Sequence, residues 1–345
     1  MSRNKSLQRI VGSFLGLVFL VAIFLSIGFG YYLIVPAKKG APEQVFSVRE
    51  GLTLKKVAGE LEREGLITNK DPFLLWGRLM GYSKKIKAGE YRLNSGMSPV
   101  KILSMLCRGS IITYPVTIPE GFTRKQIGAL MEKRDLVNRH EFLSITGDPK
   151  IVKRYGISGR DFEGYLYPDT YHFGRGLSAM SVIDVMVRRF WEVVEPLLER
   201  VDGSGMTIEE VVTLASIIEK ETGRAEERPI IASVFLNRLK RRMRLESDPT
   251  VIYGIENFNG NLTRKDLHQR TPYNTYVIRG LPPGPIGNPG SASIKAVLLP
   301  ARTDYLYFVS KNDGTHYFSK TLKEHNQAVR IYQKKGRKKR SRTKK

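Results

Sequence analysis

Hydrophobic positions divide the chain into one long apolar segment and a body with short, mixed periodicities. Residues 10–35 carry no charged side chain, and their number exceeds what a hydrocarbon core of about 30 Å requires. Three basic residues precede the segment, and such residues favour the cytoplasmic side. The pattern predicts a cytoplasmic N-terminus at 1–9, a transmembrane helix at 10–35 and an extracytoplasmic body. Tyr31 and Tyr32, without a small-residue cleavage site, favour an anchor in the cytoplasmic membrane over a cleaved signal peptide.

After a linker at 36–43, one pattern occurs three times: a strand-like stretch, a glycine turn and a helix start. Each copy has Gly, a hydrophobic residue, Ser or Thr, and apolar residues six and ten positions after the glycine. The glycines and apolar pairs are Gly51 with Val57 and Leu61, Gly96 with Ile102 and Leu106, and Gly121 with Ile127 and Met131. Ser or Thr before such a pair is a helix-start signal. The unit resembles the glycan-binding LysM-like module, although plain scaffold units show the same pattern.

The remaining pattern predicts an α+β protein. Helices are expected at 125–137, 181–201, 207–222 and 229–242, a structured loop at 269–293, and a hairpin of 305–310 with 315–319. Thr321 and Glu324 are expected to cap a final helix. The predicted domains are a LysM-like α/β subdomain at 44–112, a mixed α+β catalytic domain at 113–333 and a basic disordered tail at 334–345.

Charge adds a constraint on partners. The formal net charge is +24, and nine positive charges lie in 334–345. A basic body favours nucleic acid, anionic lipid or a carboxylate-bearing polymer, and the predicted topology disfavours nucleic acid. The single Cys107 forms no internal disulfide, and the five histidines are scattered. We therefore expect neither a metal site nor a cofactor.

A candidate catalytic side chain lies near the end of the segment 207–223, TIEEVVTLASIIEKETG. On a helix, Glu219 shares the apolar face, and the opposite side holds Glu209, Thr213, Ser216 and Lys220. An apolar surface disfavours the charged form of a carboxyl group, so Glu219 can hold a proton and donate it to a glycosidic oxygen. The alternative is a helix-end glutamate tied to an arginine. Helical position does not decide between Glu219 and Glu221.

Several blocks in one order resemble the endolytic murein transglycosylase, or YceG-like, family. They are FEGYLYPDTY (162–171), LASIIEKETG (214–223), ASVFLNRL (232–239), LESDPTVIYG (245–254), TPYNTYVIRGLPPGPIGNPG (271–290) and DYLYFVS (304–310). The resemblance implies a LysM-like subdomain, a catalytic domain and one essential glutamate, the first in EKET, which is Glu219. It also implies that the enzyme cuts nascent glycan strands near the membrane.

The resemblance implies a lyase reaction. In lytic transglycosylases the C6 hydroxyl of N-acetylmuramic acid (MurNAc) attacks its own C1 and forms a 1,6-anhydro sugar. This intramolecular attack makes a second carboxylate dispensable, so one glutamate can protonate the leaving oxygen and then accept the C6 hydroxyl proton. Expected partners are peptidoglycan strands, the membrane and peptidoglycan synthases. Candidate substrate-binding residues are Glu163, Tyr165, Tyr167, Asn237, Asp248, Tyr253, Tyr273, Asn274 and Tyr276.

Bland interpretations of these residues stay open. Glu163 can be structural, Asp248 before Pro249 can cap a helix or turn, and the tyrosines can simply pack. Residues 280–290 form one wall of the cleft or a rigid crossover. Two other protein classes also stay open: a non-catalytic peptidoglycan-binding scaffold, and a membrane-tethered nucleic-acid binder that uses the basic tail.

Overall fold

The structure, a computed structural model, describes residues 2–334 and shows a mixed α+β chain with two compact units. The first unit contains the residues up to Tyr114 together with His172–Ser178. The second contains Pro115–Tyr171 and the residues from Ala179 onward. The domain bounds inferred from the sequence stay predictions. The basic tail predicted at 334–345 lies, except for residue 334, outside the described residues.

The first unit begins with the long apolar helix α1, Ser2–Ile34. Within it, Gly12–Ile34 is long and apolar enough to cross a membrane, and almost all of its surface is exposed. The Phe29 ring packs against Trp76 with 6.3 Å between centroids, and the Tyr32 hydroxyl donates to the carbonyl of Asn69. Length and composition thus agree with the predicted spanning helix.

Two strand–glycine–helix copies form the rest of the first unit. Their elements, with one additional helix, are β1 Gln44–Val48, α2 Leu54–Arg63, α3 Lys70–Leu79, β2 Gly89–Leu93 and α4 Pro99–Arg108. β1 and β2 are antiparallel, with Phe46 opposite Tyr91. The hydroxyls of Thr53 and Ser98 accept the N–H groups of Lys56 and Lys101 in the first turns of α2 and α4, as the helix-start signals predict.

The apolar positions that define the repeat lie in the core. Val57, Leu61, Ile102 and Leu106 are fully buried in the first unit. They pack around the aromatic pair from β1 and β2. The period of the repeat therefore marks which helix face meets the strands.

The second unit starts with the third copy and is mostly helical. Its elements are β3 Tyr114–Thr117, α5 Arg124–Lys133, α6 Arg139–Thr146, α7 Pro149–Arg154, β4 Thr170–Phe173, α8 Ala179–Val194, α9 Leu198–Ser204, α10 Ile208–Glu221, α11 Arg228–Lys240, α12 Asp248–Gly254, α13 Arg264–Leu267, α14 Ser291–Leu298, β5 Tyr307–Ser310, β6 His316–Ser319 and α15 Leu322–Val329. β3 pairs with β4, and β5 pairs with β6. The predicted loop before α14, the hairpin and the Thr321–Glu324 capping box are confirmed.

Two predicted helices differ from the observed ones. The continuous helix expected at 181–201 is wrong, because a 3₁₀ turn at Glu195–Leu197 separates α8 from α9. Pro196 in this turn has no N–H to continue the α-helical ladder. α5 ends at Lys133 rather than at 137, and Asp135 follows with a φ of +53°. Leu136 and Val137 are buried from the turn rather than from the helix.

Candidate active site

Helix α10 presents Glu219 near its end. The helix starts with a capping box between Thr207 and Glu210, and the side chains from Val211 to Ile218 are all buried. The polar side expected for this helix is therefore partly wrong, because Thr213 and Ser216 are buried. The Ser216 hydroxyl donates to its own helix and accepts the N–H of Ile286. The side chain of Glu219 is only 4% exposed.

Polar groups, rather than an apolar pocket, hold the Glu219 carboxyl group. Arg228 Nη2 lies 2.8 Å from Oε1, and the N–H of Gly290 donates to Oε2 over 2.9 Å. Gly290 is the N-cap of α14, where the helix dipole also favours negative charge. The expectation that apolar side chains surround the Glu219 carboxyl group is thus wrong. The contact is that of the alternative interpretation, a helix-end glutamate tied to an arginine, and the catalytic role stays a prediction.

A second carboxyl group, which the sequence reasoning missed, lies beside Glu219. Glu120 Oε2 is 3.4 Å from the same Arg228 nitrogen, and its side chain is 48% exposed. Burial, and then the charge of Glu219, raise the pKa of Glu120. A Cβ on Gly290 would lie 1.7 Å from Glu120 Oε1, so a larger residue there would displace the Glu120 carboxyl group. The available sequence signal is that Glu-Gly-apolar-Thr occurs at both 50–53 and 120–123.

The loop before α14 joins this carboxyl pair to a buried third one. The carbonyl of Asn288 accepts the Gly121 N–H over 2.7 Å, and its own N–H donates to the carbonyl of Phe122. The side-chain amide of Asn288 donates to Glu163 Oε1 over 3.2 Å. Because Gly290 binds Glu219, one short segment positions both glutamates.

Glu163 is buried and fully hydrogen-bonded. Its Oε1 also accepts the backbone N–H of Arg124 (2.9 Å), and its Oε2 accepts the Tyr253 hydroxyl (3.1 Å). Burial raises the pKa of Glu163 to about 8, although the Arg124 N–H acts in the opposite direction. Glu163 therefore carries a proton near neutral pH.

A cavity of about 750 Å³ opens beside Glu163. Aromatic and charged side chains share its lining: Arg124, Lys125, Asp161, Glu163, Lys220, Tyr253, Glu256, Phe258 and Tyr273. The rings of Tyr253 and Tyr273 lie 4.8 Å apart. Lys220 directly follows Glu219 in α10, so the cavity adjoins the helix end that bears the carboxyl pair. Ile286 also lines the cavity, which favours the cleft-wall interpretation of residues 280–290.

The profile of the YceG-like family matches residues 46–331. The chain belongs to the YceG-like family. The endolytic murein transglycosylase of Bacillus subtilis strain 168 is 32% identical over 321 residues, which cover 88% of this chain and 89% of that protein. The endolytic murein transglycosylase of Streptococcus pneumoniae strain D39 is 28% identical and covers 91% of this chain, which spans 63% of it. The crystal structure of a yceG-like protein from Listeria monocytogenes aligns with a TM-score of 0.58 at 34% identity, covering 83% of this chain and 98% of that one.

The YceG-like site brings together only some of the predicted residues. Glu163, Tyr253 and Tyr273 line the cavity. Tyr167 does not line the cavity, and burial raises its pKa. Its hydroxyl hydrogen-bonds to the backbone of Ser291, the residue after Gly290.

A separate cluster surrounds Glu221. The Ser247 hydroxyl donates to this carboxyl group, and burial raises the pKa of Glu221 to about 7. Asp248 does not cap α12 as expected, because Ser247 occupies the N-cap and Asp248 is the first helical residue. The carboxylate of Asp248 instead accepts the Tyr276 hydroxyl over 2.6 Å. Asp248 and Tyr276 therefore satisfy each other.

Three residues that were predicted to bind substrate in the YceG-like cleft make contacts within the protein instead. Tyr165 is buried against Phe190, with 4.9 Å between ring centroids. The Asn237 amide donates to the carbonyls of Thr303 and Tyr305. Asn274 is fully buried, and its amide donates to three backbone carbonyls, the nearest that of Gln269 at 2.7 Å. These contacts position loops.

Proposed function

We propose that this chain is a membrane-anchored lytic transglycosylase. It cleaves the bond between MurNAc and N-acetylglucosamine (GlcNAc) within peptidoglycan strands and leaves 1,6-anhydroMurNAc ends. Membership of the YceG-like family and relatives named endolytic murein transglycosylase support it. The observation that carries the proposal is the fixed, nearly buried carboxyl group of Glu219 at a helix end, beside an open cavity lined by tyrosines.

Glu219 acts first as an acid and then as a base. Its proton goes to the leaving O4 of GlcNAc as the C1–O4 bond breaks. Its carboxylate then takes the proton of the C6 hydroxyl as O6 bonds to C1, so no water and no net proton are consumed. Arg228 and the Gly290 N–H keep the carboxyl oxygens in one orientation through both steps, and such fixed positioning accounts for much of a rate enhancement.

The cavity serves as the glycan-binding cleft. About 750 Å³ is within the range of small-molecule sites, and the adjacent rings of Tyr253 and Tyr273 suit the apolar faces of sugars. Lys125 and Lys220 line the same cavity and suit the carboxylates of the peptide stem on MurNAc. Tyr167 binds sugar on the side of the carboxyl pair. Glu163, a neutral acid within this wall, keeps Tyr253 in place.

The membrane helix, the first unit and the basic tail determine where the enzyme acts. Gly12–Ile34 anchors the chain in the cytoplasmic membrane, with the N-terminus in the cytoplasm and both units outside. The two copies in the first unit form a LysM-like module that holds glycan. Cleavage close to the membrane ends the elongation of nascent strands, and peptidoglycan synthases are the expected partners. The basic tail attracts wall polymers or lipid headgroups, so deletion of 334–345 leaves catalysis intact.

The deciding experiment is mass spectrometry of fragments released from purified peptidoglycan by the full chain in detergent. Wild type should release anhydroMurNAc-ended fragments, and Glu219→Gln should fold normally but lose at least about a hundredfold in rate. Reducing ends from the wild type would identify a hydrolase instead. Undiminished anhydro products from Glu219→Gln would exclude Glu219 as the acid, and binding without any product would favour a scaffold.

A further inference from the structure

The neighbouring carboxyl groups of Glu120 and Glu219 share two contacts. Arg228 Nη2 lies 2.8 Å from Glu219 and 3.4 Å from Glu120. Gly290 donates its N–H to Glu219, and the space beside its Cα is filled by the Glu120 carboxyl group. The two side chains thus converge on one guanidinium and one glycine. Besides burial, the charge of Glu219 acts on Glu120 and raises its pKa.

Two carboxyl groups that converge on one guanidinium nitrogen repel each other as anions, and such a pair retains a proton on one of its members. The other charged or titratable groups that face the pair are Arg228 from α11, Lys220 from α10 and Tyr167 from the loop before β4. The closer Arg228 contact and the Gly290 N–H both favour the anion on Glu219. The resting proton therefore lies on Glu120, in agreement with the raised pKa of Glu120.

We propose that Glu120 and Glu219 share one proton, and that Glu120 is the positioning residue that supplies it to Glu219 before cleavage and takes it back afterwards. In each cycle the proton moves from Glu120 to Glu219 and then to the leaving O4. The C6 hydroxyl then returns a proton to Glu219, and the pair regains its resting state. The reaction class rests on the proposed function, whereas the shared proton in the resting protein does not.

Solvent exposure gives the two groups different tasks. The side chain of Glu219 is 4% exposed and that of Glu120 is 48% exposed. Bulk water therefore exchanges protons with Glu120 more readily than with Glu219. This arrangement also explains how a glutamate tied to an arginine can act as an acid.

The first test needs no substrate. Infrared difference spectra of the full chain at neutral pH, wild type minus Glu120→Gln and wild type minus Glu219→Gln, should both show the loss of one protonated-carboxyl C=O band. Glu163 and Glu221 are present in all three proteins, so their bands cancel. A wild type minus Glu120→Gln spectrum that lacks this band would overturn the shared proton, whatever reaction the protein catalyses.

The second test is the pH profile of kcat for release of fragments. The side-chain amide introduced by Glu120→Gln would donate to the Glu219 carboxylate and stabilise the anion. We therefore expect kcat at neutral pH to fall roughly ten- to a hundredfold, with the alkaline limb moved to lower pH and KM little changed. Glu120→Asp should recover part of the neutral-pH rate. Glu50→Gln, at the same turn position of the first copy, should match wild type.

The outcomes separate the two proposals. If Glu120→Gln lowers kcat equally at every pH, Glu120 has only a structural role. If the pH profile of kcat is unchanged, Glu120 takes no part in cleavage. Either result overturns the positioning role while the transglycosylase proposal stands. If wild type releases no anhydro product, the transglycosylase proposal fails, and the infrared result alone decides whether the pair shares a proton.

Discussion

The first and third copies of the strand–glycine–helix unit have nearly the same turn but different neighbours. Both read Glu-Gly-apolar-Thr, at 50–53 and 120–123. Both glycines have positive φ, +82° at Gly51 and +75° at Gly121, and both threonines cap the following helix. Each copy therefore satisfies the same local rules for leaving a strand and starting a helix.

What packs against the turn differs. A Cβ on Gly51 would meet nothing within 4 Å, whereas one on Gly121 would touch Glu219 Cγ and Lys220 Cε at 3.5 Å. Glu50 accepts the backbone N–H of Ser178, while Glu120 lies beside Arg228 and Glu219. One repeated turn therefore serves as scaffold in one unit and as part of the candidate site in the other. The chemistry comes from the neighbours.

The largest expected effect is on the pH dependence of stability, and it concerns Glu163. Its carboxyl group accepts the first N–H of the helix in the third copy. Its pKa is raised from 4.5 to about 8, so the folded protein keeps a proton that the unfolded chain has lost. The contribution of Glu163 to stability is complete below about pH 4.5. It decreases as pH rises to about 8, by roughly 1.4 kcal/mol per unit.

Replacing Glu163 with Gln should remove this dependence and keep the two bonds that Oε1 accepts. The amide N–H in place of Oε2 would donate to the Tyr253 hydroxyl instead of accepting from it. Thermal unfolding of the full chain in detergent at pH 5 and pH 8 measures it. Wild type should lose more stability than Glu163→Gln over this range, and Glu221, present in both, cancels. Parallel pH dependences for the two proteins would contradict the buried, neutral state of Glu163.

Gly290→Ala should disturb the residues that pack against the turn of the third copy. The new Cβ would lie 1.7 Å from Glu120 Oε1 and must displace that carboxyl group. The backbone tolerates alanine, since φ is −78° and ψ is 169°. We expect kcat to fall roughly ten- to a hundredfold, because a small misplacement of a catalytic constellation has this effect.

Gly223→Ala is the matched control for Gly290→Ala. It lies just after α10, and its Cβ would meet nothing within 4 Å. Its kcat should equal that of wild type. A wild-type rate in Gly290→Ala would mean that the position of Glu120 is irrelevant to cleavage.

Gly51→Ala and Gly121→Ala test the turns themselves. Each forces a side chain into left-handed backbone, which costs about 1–2 kcal/mol, and the two losses should be similar. Only Gly121→Ala should also lower kcat, by a small factor, because the strained turn follows Glu120 directly and the Gly121 N–H donates to the carbonyl of Asn288. Chemical denaturation and fragment release measure the two effects. A matching loss of kcat in Gly51→Ala would erase the functional distinction between the copies.

Periodicity predicted the parts of the fold that depend on near neighbours. The paired apolar positions Ile127 and Met131 are fully buried, and the bounds of α10 differ from the prediction by one residue at each end. The polar face predicted for α10 is wrong at Thr213 and Ser216, which carry short hydroxyl side chains and are buried. Ser216 is satisfied by its own helix and by Ile286, 70 residues away.

The site could be predicted only in part, because its contacts are distant in sequence. Glu219 followed from the family resemblance, and its role is still a prediction. Its partner Gly290 is 71 residues away, and Glu120 and Arg228 are 108 residues apart. A periodic pattern shows which residues share a face of one helix or strand, and it does not reveal contacts between residues so far apart in sequence. The two Glu-Gly-apolar-Thr turns mark Glu50 and Glu120 alike, since neither helix start requires a glutamate there, and only the neighbours distinguish them.

The smallest expected effect is the loss of stability when the N-caps of the first and third copies are removed. Thr123 and Gln126 form a reciprocal capping box, with hydrogen bonds of 3.2 and 2.9 Å. Thr53 accepts the N–H of Lys56 over 3.4 Å, and a lysine side chain cannot accept a bond in return. We expect Thr123→Ala to cost about 1 kcal/mol and Thr53→Ala roughly half as much.

Hydrogen exchange of the first-turn amides in the full chain measures these costs helix by helix. Thr123→Ser keeps the hydroxyl and should recover most of the protection. Thr53→Ala should leave fragment release unchanged, because its helix bears no site residue. A larger loss of protection from Thr53→Ala than from Thr123→Ala would mean that the reciprocal bond contributes little.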